Sequence, residues 1–198
     1  LGRDDAVISK AITEPSADMA FKVEVYKGNE LVASTDDHRK LTELAPLTLR
    51  VGTYRVVASY GDNKTGFDAP YYVGVSENVV VERDKVTKSE IVCTLANVMV
   101  TVNFDETIKS NFKSYSVFVE DGTDNGGLTF SAGNLGATGY IPATGILEWE
   151  LALEKSDGTP YKTSGAYDKV QARQHFNLNF SLEEMEESGY GAIRLEVN

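Results

Sequence analysis

Two glutamates on one predicted strand have the spacing that comes closest to a catalytic pattern. Glu148 and Glu150 flank Trp149, and side chains two positions apart on a strand point to the same face. Glycosidases use two carboxyl groups about 5–10 Å apart, on opposite sides of the bond that they cleave. These two carboxylates would lie roughly 7 Å apart but on one side, as on a half-buried antiparallel strand. We interpret them as a solvated face, with Trp149 on the core face.

A second candidate is the polar segment Asp121–Gly127, which contains the residue types of a calcium loop. The EF-hand pattern needs oxygen ligands at alternating positions, a central glycine and a distal glutamate, and that register is absent here. Because Asp, Asn and Gly tolerate left-handed backbone, the same residues predict a turn. Whether the segment binds a cation stays open at this point.

A third candidate is the glycine-rich connection over residues 122–145, which comes after this turn in the sequence. It contains Leu128–Phe130 and Tyr140–Pro142 as two candidate short strands. Its glycines are too scattered for a phosphate cradle, which needs a strand, a compact glycine loop and a helix. We expect a surface loop that contacts a partner.

Aromatic and polar residues occur together between Tyr60 and Tyr72. Tyrosine rings stack on sugars, and Asp or Asn binds sugar hydroxyls, so a glycan contact is one interpretation. Packing of these rings over the end of a sandwich is the interpretation that we favour.

The remaining reactive residues do not combine into a site. The single cysteine, Cys93, excludes an internal disulfide and a multi-cysteine metal site, and its alternation predicts a buried, inert thiol. His38 and His175 are far apart and suggest no ligand set. A nucleophile elbow, a Ser-His-Asp arrangement, a dinucleotide fingerprint and a zinc spacing are all missing. We therefore predict no catalytic, cofactor-binding or metal-binding residues, no cofactor and no enzyme activity.

Composition excludes further classes. The 198 residues include 30 acids and 19 bases, giving a net charge of −11, and 41% are hydrophobic. That acidic balance argues against a nucleic-acid-binding protein, because binding to phosphates requires clustered Lys and Arg. No stretch approaches the roughly 20 apolar residues of a membrane span.

Apolar and polar residues alternate with a period of two through most of the chain after Phe21. Gly28-Asn29 predicts a hairpin turn, and Asp105 predicts the cap of a short helix. The alternating strands that we predict are Phe21–Val25, Leu47–Val51, Tyr54–Tyr60, Val79–Val81, Ile91–Leu95, Val98–Phe104, Tyr115–Val119, Leu147–Leu153, Phe176–Leu182 and Ile193–Val197. Short strands separated by turns predict an all-β protein of antiparallel sandwiches.

We predict two tandem β-sandwich domains of prealbumin (transthyretin)-like or Ig-like type, over residues 1–95 and 96–198. Each half contains six or seven strands, enough for two packed sheets. A single larger sandwich is the alternative. Residues 1–20 are polar and aperiodic, which predicts a tether or a loosely held first strand. Because the chain opens without an initiator methionine, we expect a mature or trimmed form.

Leu49–Val56 resembles the L-x-V-G-x-Y-x-V corner of prealbumin-like bacterial surface modules. Further blocks are residues 58–63 and 67–72, the middle segment 93–104, and the late strand Val170–Leu178. These blocks resemble a family of Bacteroidales surface lipoproteins of unassigned function. The family is similar in architecture to fimbrillin-like, type V pilus proteins.

This resemblance implies an exported lipoprotein at the cell surface and outer membrane, anchored through a cysteine outside this chain. The function that we expect is a non-catalytic cell-adhesion or fimbria/pilus-associated module. Its partners would be other surface or pilus subunits, or host and glycan ligands, joined by strand addition at a sheet edge. A carbohydrate-binding module of a surface glycan-handling system is the alternative, and a glycosidase is the third class.

Overall fold

A computed structural model describes residues 9–10, 15–43, 47–124, 126–184 and 191–197. These residues form fifteen strands and two short helices. The elements are β1 (Ser9–Lys10), β2 (Lys22–Lys27), β3 (Glu30–Thr35), α1 (Arg39–Glu43), β4 (Gly52–Tyr60), β5 (Gly66–Phe67), β6 (Tyr72–Val81), β7 (Thr94–Leu95), β8 (Asn97–Phe104), α2 (Glu106–Asn111), β9 (Ser114–Glu120), β10 (Leu128–Ser131), β11 (Gly139–Pro142), β12 (Ile146–Glu154), β13 (Pro160–Asp168), β14 (Gln174–Glu184) and β15 (Gly191–Val197). The protein is all-β, as the alternation predicts.

The chain forms two compact units. The N-terminal unit consists of Thr13–Asp62 and Pro70–Ala96, and the C-terminal unit of Asn97–Asn198 with Leu1–Ile12 and Asn63–Ala69. The predicted boundary at 95/96 therefore lies beside the observed one, but the units are not sequential. They interleave because β5 pairs with β11 and β1 pairs with β14, both in a sheet of the C-terminal unit.

The described part of the N-terminal unit contains one five-stranded sheet in the order β3-β2-β4-β6-β7. We expected two packed sheets in this half, and the described residues show one. The hairpin at Gly28-Asn29 is confirmed, with β2 and β3 pairing antiparallel. Val23 and Val25 on β2 and Tyr54 and Ala58 on β4 bury one face of the sheet.

Two predicted strands of this unit are wrong or shortened. Leu47–Val51 is not a strand, because Leu47 and Val51 are exposed and β4 begins only at Gly52. In the segment Ile91–Leu95, only Thr94 and Leu95 pair with β6. Alternation of apolar and polar residues is thus not sufficient to form a strand where no neighbouring strand offers hydrogen bonds.

The C-terminal unit is a sandwich of two sheets. One has the order β1-β14-β8-β11-β5 with β15 also paired to β14, and the other has the order β10-β9-β12-β13. The pairing of β14 with β8 is parallel, whereas the other pairings are antiparallel. Apolar side chains from both sheets, from α2 and from two connections fill one core: Val98, Val100, Val102, Phe104, Ile108, Phe112, Val117, Val119, Leu128, Phe130, Ile141, Leu147, Leu151, Leu153, Val170, Phe176, Leu178 and Phe180.

The predicted helix cap at Asp105 is confirmed. Its Oδ1 accepts a hydrogen bond of 3.0 Å from the Ile108 backbone N–H, satisfying one of the free donors at the start of α2. Ile108 and Phe112 then face the core on the same side of the turn.

Candidate functional site

A groove opens on the outer face of the four-stranded sheet β10-β9-β12-β13. Its volume is about 440 Å³. The lining residues are Phe118, Glu120, Glu148, Trp149, Glu150, Ser164, Gly165 and Ala166. The two glutamates singled out in the sequence therefore lie in a concavity of an exposed sheet face.

The strand register explains the groove. Glu148 lies directly between Glu120 on β9 and Ala166 on β13. Glu150 lies between Phe118 on β9 and Ser164 on β13 in the same way. Because Ser164 and Ala166 are small, β13 leaves space beside the long side chains of β9 and β12.

Two glycines position the aromatic residues around this groove. A Cβ atom on Gly127 would lie 2.4 Å from Cζ of Phe118, so the phenyl ring packs directly over the glycine backbone. A Cβ atom on Gly165 would lie 2.7 Å from Cζ2 of Trp149, so the indole fills the space left on the other face of β13. Beside the indole, burial raises the pKa of Tyr167 to about 12. Close packing against a glycine thus holds Phe118 on the outer face of the sheet and Trp149 on its core face.

The carboxylates of the groove differ in their partners. The Glu150 carboxylate accepts a hydrogen bond of 2.8 Å from the ammonium group of Lys162. Within the described part of the chain, Glu120 and Glu148 make no ion pair. Two like charges directly opposite each other on neighbouring strands destabilise a sheet. The groove therefore holds an uncompensated negative pair.

The glycosidase interpretation gains no support from this arrangement. A glycosidase needs carboxyl groups on opposite sides of the scissile bond. Glu148, Glu150 and Glu120 all project from one face of one sheet. Their carboxylates make this part of the sheet face anionic.

The segment Asp121–Gly127 is closed by its own hydrogen bonds, apart from Asn125, which lies outside the described residues. Oδ1 of the buried Asp121 accepts bonds from the Thr123 backbone N–H at 3.1 Å and hydroxyl at 2.5 Å. The Thr144 hydroxyl donates to the Asp121 carbonyl at 2.7 Å. Among the described residues, no three His, Cys, Asp or Glu side chains converge to hold a metal ion. The geometry is that of an Asx turn.

The connection over residues 122–145 contains both candidate strands. Leu128–Phe130 lies within β10 and Tyr140–Pro142 within β11. Much of this connection is therefore sheet rather than loop, and Phe130 and Ile141 lie in the core.

The aromatic segment from Tyr60 to Tyr72 contributes to packing rather than to a platform. Tyr72 is 3% exposed, and the Tyr60 ring lies 5.8 Å from that of Phe21. Phe67 lies edge-on to Phe130 in the C-terminal unit, with 5.1 Å between ring centroids.

The two histidines lie in different units and serve local structure. Nδ1 of His38 accepts a 3.2 Å hydrogen bond from the Phe21 backbone N–H. Nε2 of His175 lies 2.8 Å from the Thr101 hydroxyl, and burial lowers the pKa of this imidazole.

Cys93 is half-buried, and its thiol contacts the Ala58 carbonyl at 3.7 Å. Burial raises the pKa of the thiol, which reduces the thiolate fraction at neutral pH. We expect iodoacetamide to label the folded chain more slowly at about pH 8 than the urea-unfolded chain, and the folded-state rate to keep rising above the usual thiol pKa of about 8.5. Mass spectrometry over a pH series checks this. Equal rates for the folded and unfolded chains would contradict it.

Sequence reasoning missed five residues of the groove: Phe118, Glu120, Ser164, Gly165 and Ala166. The alternation of Tyr115, Val117 and Val119 does place Phe118 and Glu120 on the outer face of β9. What it lacks is the register of β9 against β12, which alone brings Glu120 beside Glu148.

A family model described as Domain of unknown function (DUF4493) matches residues 3–198. The match confirms the resemblance to a family without assigned function. No curated protein matches the chain. Among the helices of the described residues, none has the length and apolar character needed to cross a membrane.

Two crystal structures from Bacteroides are similar to the chain. A "putative adhesin" from Bacteroides ovatus has a TM-score of 0.47 and 10% identity, covering 91% of this chain and 88% of its own. A "putative cell adhesion protein" from Bacteroides fragilis NCTC 9343 has a TM-score of 0.43 and 12% identity, covering 94% of this chain and 87% of its own. Both likenesses are weak.

Proposed function

We propose that this chain, which belongs to the family Domain of unknown function (DUF4493), is a non-catalytic cell-surface module that mediates adhesion. The observation that carries the proposal is the outer face of the five-stranded sheet in the N-terminal unit. This face exposes large apolar side chains beside the Lys22–Glu24 ion pair and the contact of Arg55 with the Tyr26 ring.

The strand register defines that face. Val23 and Val25 of β2 are buried on one side, so their strand neighbours Glu24 and Tyr26 lie on the other side, together with the residues that pair with those neighbours. Leu31, Val75 and Val80 lie on this second side and are 48%, 48% and 51% exposed. Exposed apolar patches on soluble domains mark surfaces that bind other proteins.

The edge of the same sheet offers a second means of association. β3 forms one edge of the described sheet, and its six residues contain a single charge, Glu30. Edge strands with few charges are templates for pairing with another chain. A register shift between Val25 and Tyr26 interrupts the β2–β3 ladder, which limits such pairing to part of the edge.

The finer proposal is association with a fimbria or pilus, through strand addition between surface subunits. It includes the prealbumin-like or Ig-like type of the domains, export as a lipoprotein and location at the outer membrane. Strand exchange by residues 1–20 belongs to this proposal. Most of that segment lies outside the described residues, and β1 pairs antiparallel with β14 at His175 and Gln174.

Display of the full chain on a non-aggregating bacterium tests the adhesion proposal. We expect displaying cells to settle faster than vector-only cells or to be retained on surfaces coated with the chain. Val75→Glu with Val80→Glu should reduce this several-fold, because charge on both sides of the interface opposes burial. Val86→Glu with Val92→Glu is the matched control, since it adds the same two charges at valines that are 72% and 75% exposed and lie outside the strands.

The same assay distinguishes adhesion through the exposed sheet face from strand exchange by residues 1–20. Loss of adhesion on deletion of residues 1–20, with the Val75/Val80 variant unaffected, would favour strand exchange over face-to-face contact. Binding of displaying cells to a glycan array, without binding to the coated chain, would favour the carbohydrate-binding alternative. If displaying cells neither settle nor attach to either surface, the adhesion proposal fails.

A further inference from the structure

We propose that His38 is a pH-dependent latch on the chain segment that enters β2. As the imidazole becomes protonated, Nδ1 exchanges its bond with the Phe21 backbone N–H for a bond to the Asp37 carboxylate. The latch goes beyond adhesion, because it acts on a segment of the N-terminal unit rather than on a contact surface, and it stands without that function.

His38 holds Phe21 at both of its backbone polar groups. The His38 backbone N–H donates to the Phe21 carbonyl at 2.7 Å, and Nδ1 of the imidazole accepts from the Phe21 N–H at 3.2 Å. Phe21 immediately precedes β2, and residues 15–21 form neither helix nor strand. The two hydrogen bonds therefore lie where an irregular segment joins the sheet.

A second partner for Nδ1 lies close to it. Oδ1 of Asp37 is 3.9 Å from Nδ1. A charge-assisted hydrogen bond spans about 2.7–2.9 Å, so the imidazole and the carboxylate need to approach each other by only roughly 1 Å. The two partners require opposite protonation states, because the Phe21 N–H needs a lone pair on Nδ1 and the carboxylate needs a proton there. Both nitrogens of an imidazolium carry protons, so the bond from Phe21 is lost on protonation.

Asp37 remains ionised while an imidazole titrates. Its carboxylate accepts hydrogen bonds from Nε of Arg39 at 2.8 Å and from Nη2 at 2.7 Å. Hydrogen bonding to this guanidinium lowers the pKa of Asp37 to about 2. Imidazoles titrate between about pH 5 and 8. The carboxylate is therefore a constant acceptor over the range in which the charge of the imidazole changes.

The other charges near the latch do not replace Asp37. Lys22 pairs with Glu24 at 2.8 Å, and Arg39 pairs with Asp37 itself. Among the described residues, Asp37 is the acid whose carboxylate lies within 4 Å of the His38 imidazole. The charged or titratable residues beside His38 and Phe21 in the chain, or packed against them, are Lys22, Asp36, Asp37, Arg39, Lys40 and Tyr60.

Protonation leaves the segment ahead of β2 with fewer hydrogen bonds. The bond from the His38 backbone N–H to the Phe21 carbonyl remains, as does the bond from Nη1 of Arg39 to the Asp18 carbonyl at 3.4 Å. The Phe21 N–H then has no acceptor on His38. Acidification should therefore loosen residues 15–21 while β2 stays paired with β3 and β4.

Proton–nitrogen NMR of the full chain between pH 8 and pH 5 tests the latch. We expect the Phe21 amide resonance and the His38 imidazole resonances to titrate with one midpoint, and the Phe21 amide proton to move upfield as its acceptor is lost. Solvent exchange of this amide, corrected for the pH dependence of unprotected amides, should become about three- to tenfold faster, as expected for the loss of one hydrogen bond.

Three substitutions assign the response. His38→Asn removes the titration but keeps an acceptor oxygen close to the position of Nδ1, so the Phe21 amide should no longer respond to pH. His175→Asn is the matched control, because it removes the histidine of the other unit and should leave the Phe21 response unchanged. Asp37→Asn should move the midpoint to lower pH, since a nearby carboxylate favours the protonated imidazole. Unchanged resonances of β2 show that the sheet remains paired in each variant.

A Phe21 amide that stays unchanged while the His38 imidazole titrates would overturn the latch. So would a Phe21 response that persists in His38→Asn, because another group would then be its source. If Asp37→Asn leaves the midpoint in place, the proposed exchange of partners is wrong.

Discussion

Replacement of Phe104 by Ala should lower the free energy of unfolding of the C-terminal unit by about 3–5 kcal/mol. Phe104 is fully buried at the end of β8. Its ring stacks on Phe180 with 5.4 Å between centroids and lies 4.9 Å from the Tyr115 ring. Removal of the ring leaves a cavity between the two sheets of the sandwich, and their backbones constrain how far it can collapse.

Urea unfolding followed by Trp149 fluorescence measures this effect in the correct unit. Trp149 is the single tryptophan of the chain, and its ring lies 5.5 Å from that of Phe180. Phe118→Ala is the control, because it makes the same change on the solvent face and should cost about 1 kcal/mol or less. Equal losses for the two variants would contradict the assignment of Phe104 to the core.

The C-terminal unit was the more predictable half, for a physical reason. Each strand of a sandwich buries one face, so the alternation in Val98–Phe104 and Phe176–Leu182 reports directly on the core. The Asp105 cap was predictable because it depends on residues three apart in the chain.

Features that depend on distant partners were not predictable. β13 escaped notice because its core-side positions are Thr163, Gly165 and Tyr167, which show no apolar alternation. The glycine is there because the Trp149 indole occupies its space. The transfer of β5 to the other unit depends on two residues pairing with β11, which no local pattern signals.

The candidate site also combines features that the sequence predicts with features that depend on distant partners. That Glu148 and Glu150 share a face follows from strand geometry and needs only the sequence. That this face is concave depends on Ser164 and Ala166 being placed beside it by the β12–β13 register. That Glu148 lacks a counter-charge depends on Glu120 occupying the opposite position. A binding surface on a sheet is therefore a property of register, which a single sequence does not specify when loops of different lengths connect the strands.

Replacement of Gly61 by Ala should be the most damaging small substitution in the N-terminal unit. Gly61 has a φ of +78°, a left-handed conformation that costs an L residue about 1–2 kcal/mol. A Cβ atom there would also lie 2.3 Å from the Pro70 carbonyl oxygen, a backbone atom two residues before the start of β6. The chain leaves this unit after Asp62 and returns at Pro70. The close approach of Gly61 to Pro70 therefore lies where the departing and returning segments are adjacent. Overpacking adds about 1–3 kcal/mol, giving a total of roughly 2–5 kcal/mol.

Gly28→Ala separates the cost of the left-handed backbone from the cost of overpacking. Gly28 lies in the same unit with a φ of +60°, and nothing lies within 4 Å of its ideal Cβ position. It should therefore cost only the backbone term of about 1–2 kcal/mol. Hydrogen exchange of peptides covering β4 and β6 measures both variants, and Gly61→Ala should show the larger loss of protection because it strains the Tyr60–Tyr72 end of that ladder. If the two variants exchange equally, the close approach of Gly61 and Pro70 does not constrain the crossing, and the left-handed backbone alone accounts for the glycine.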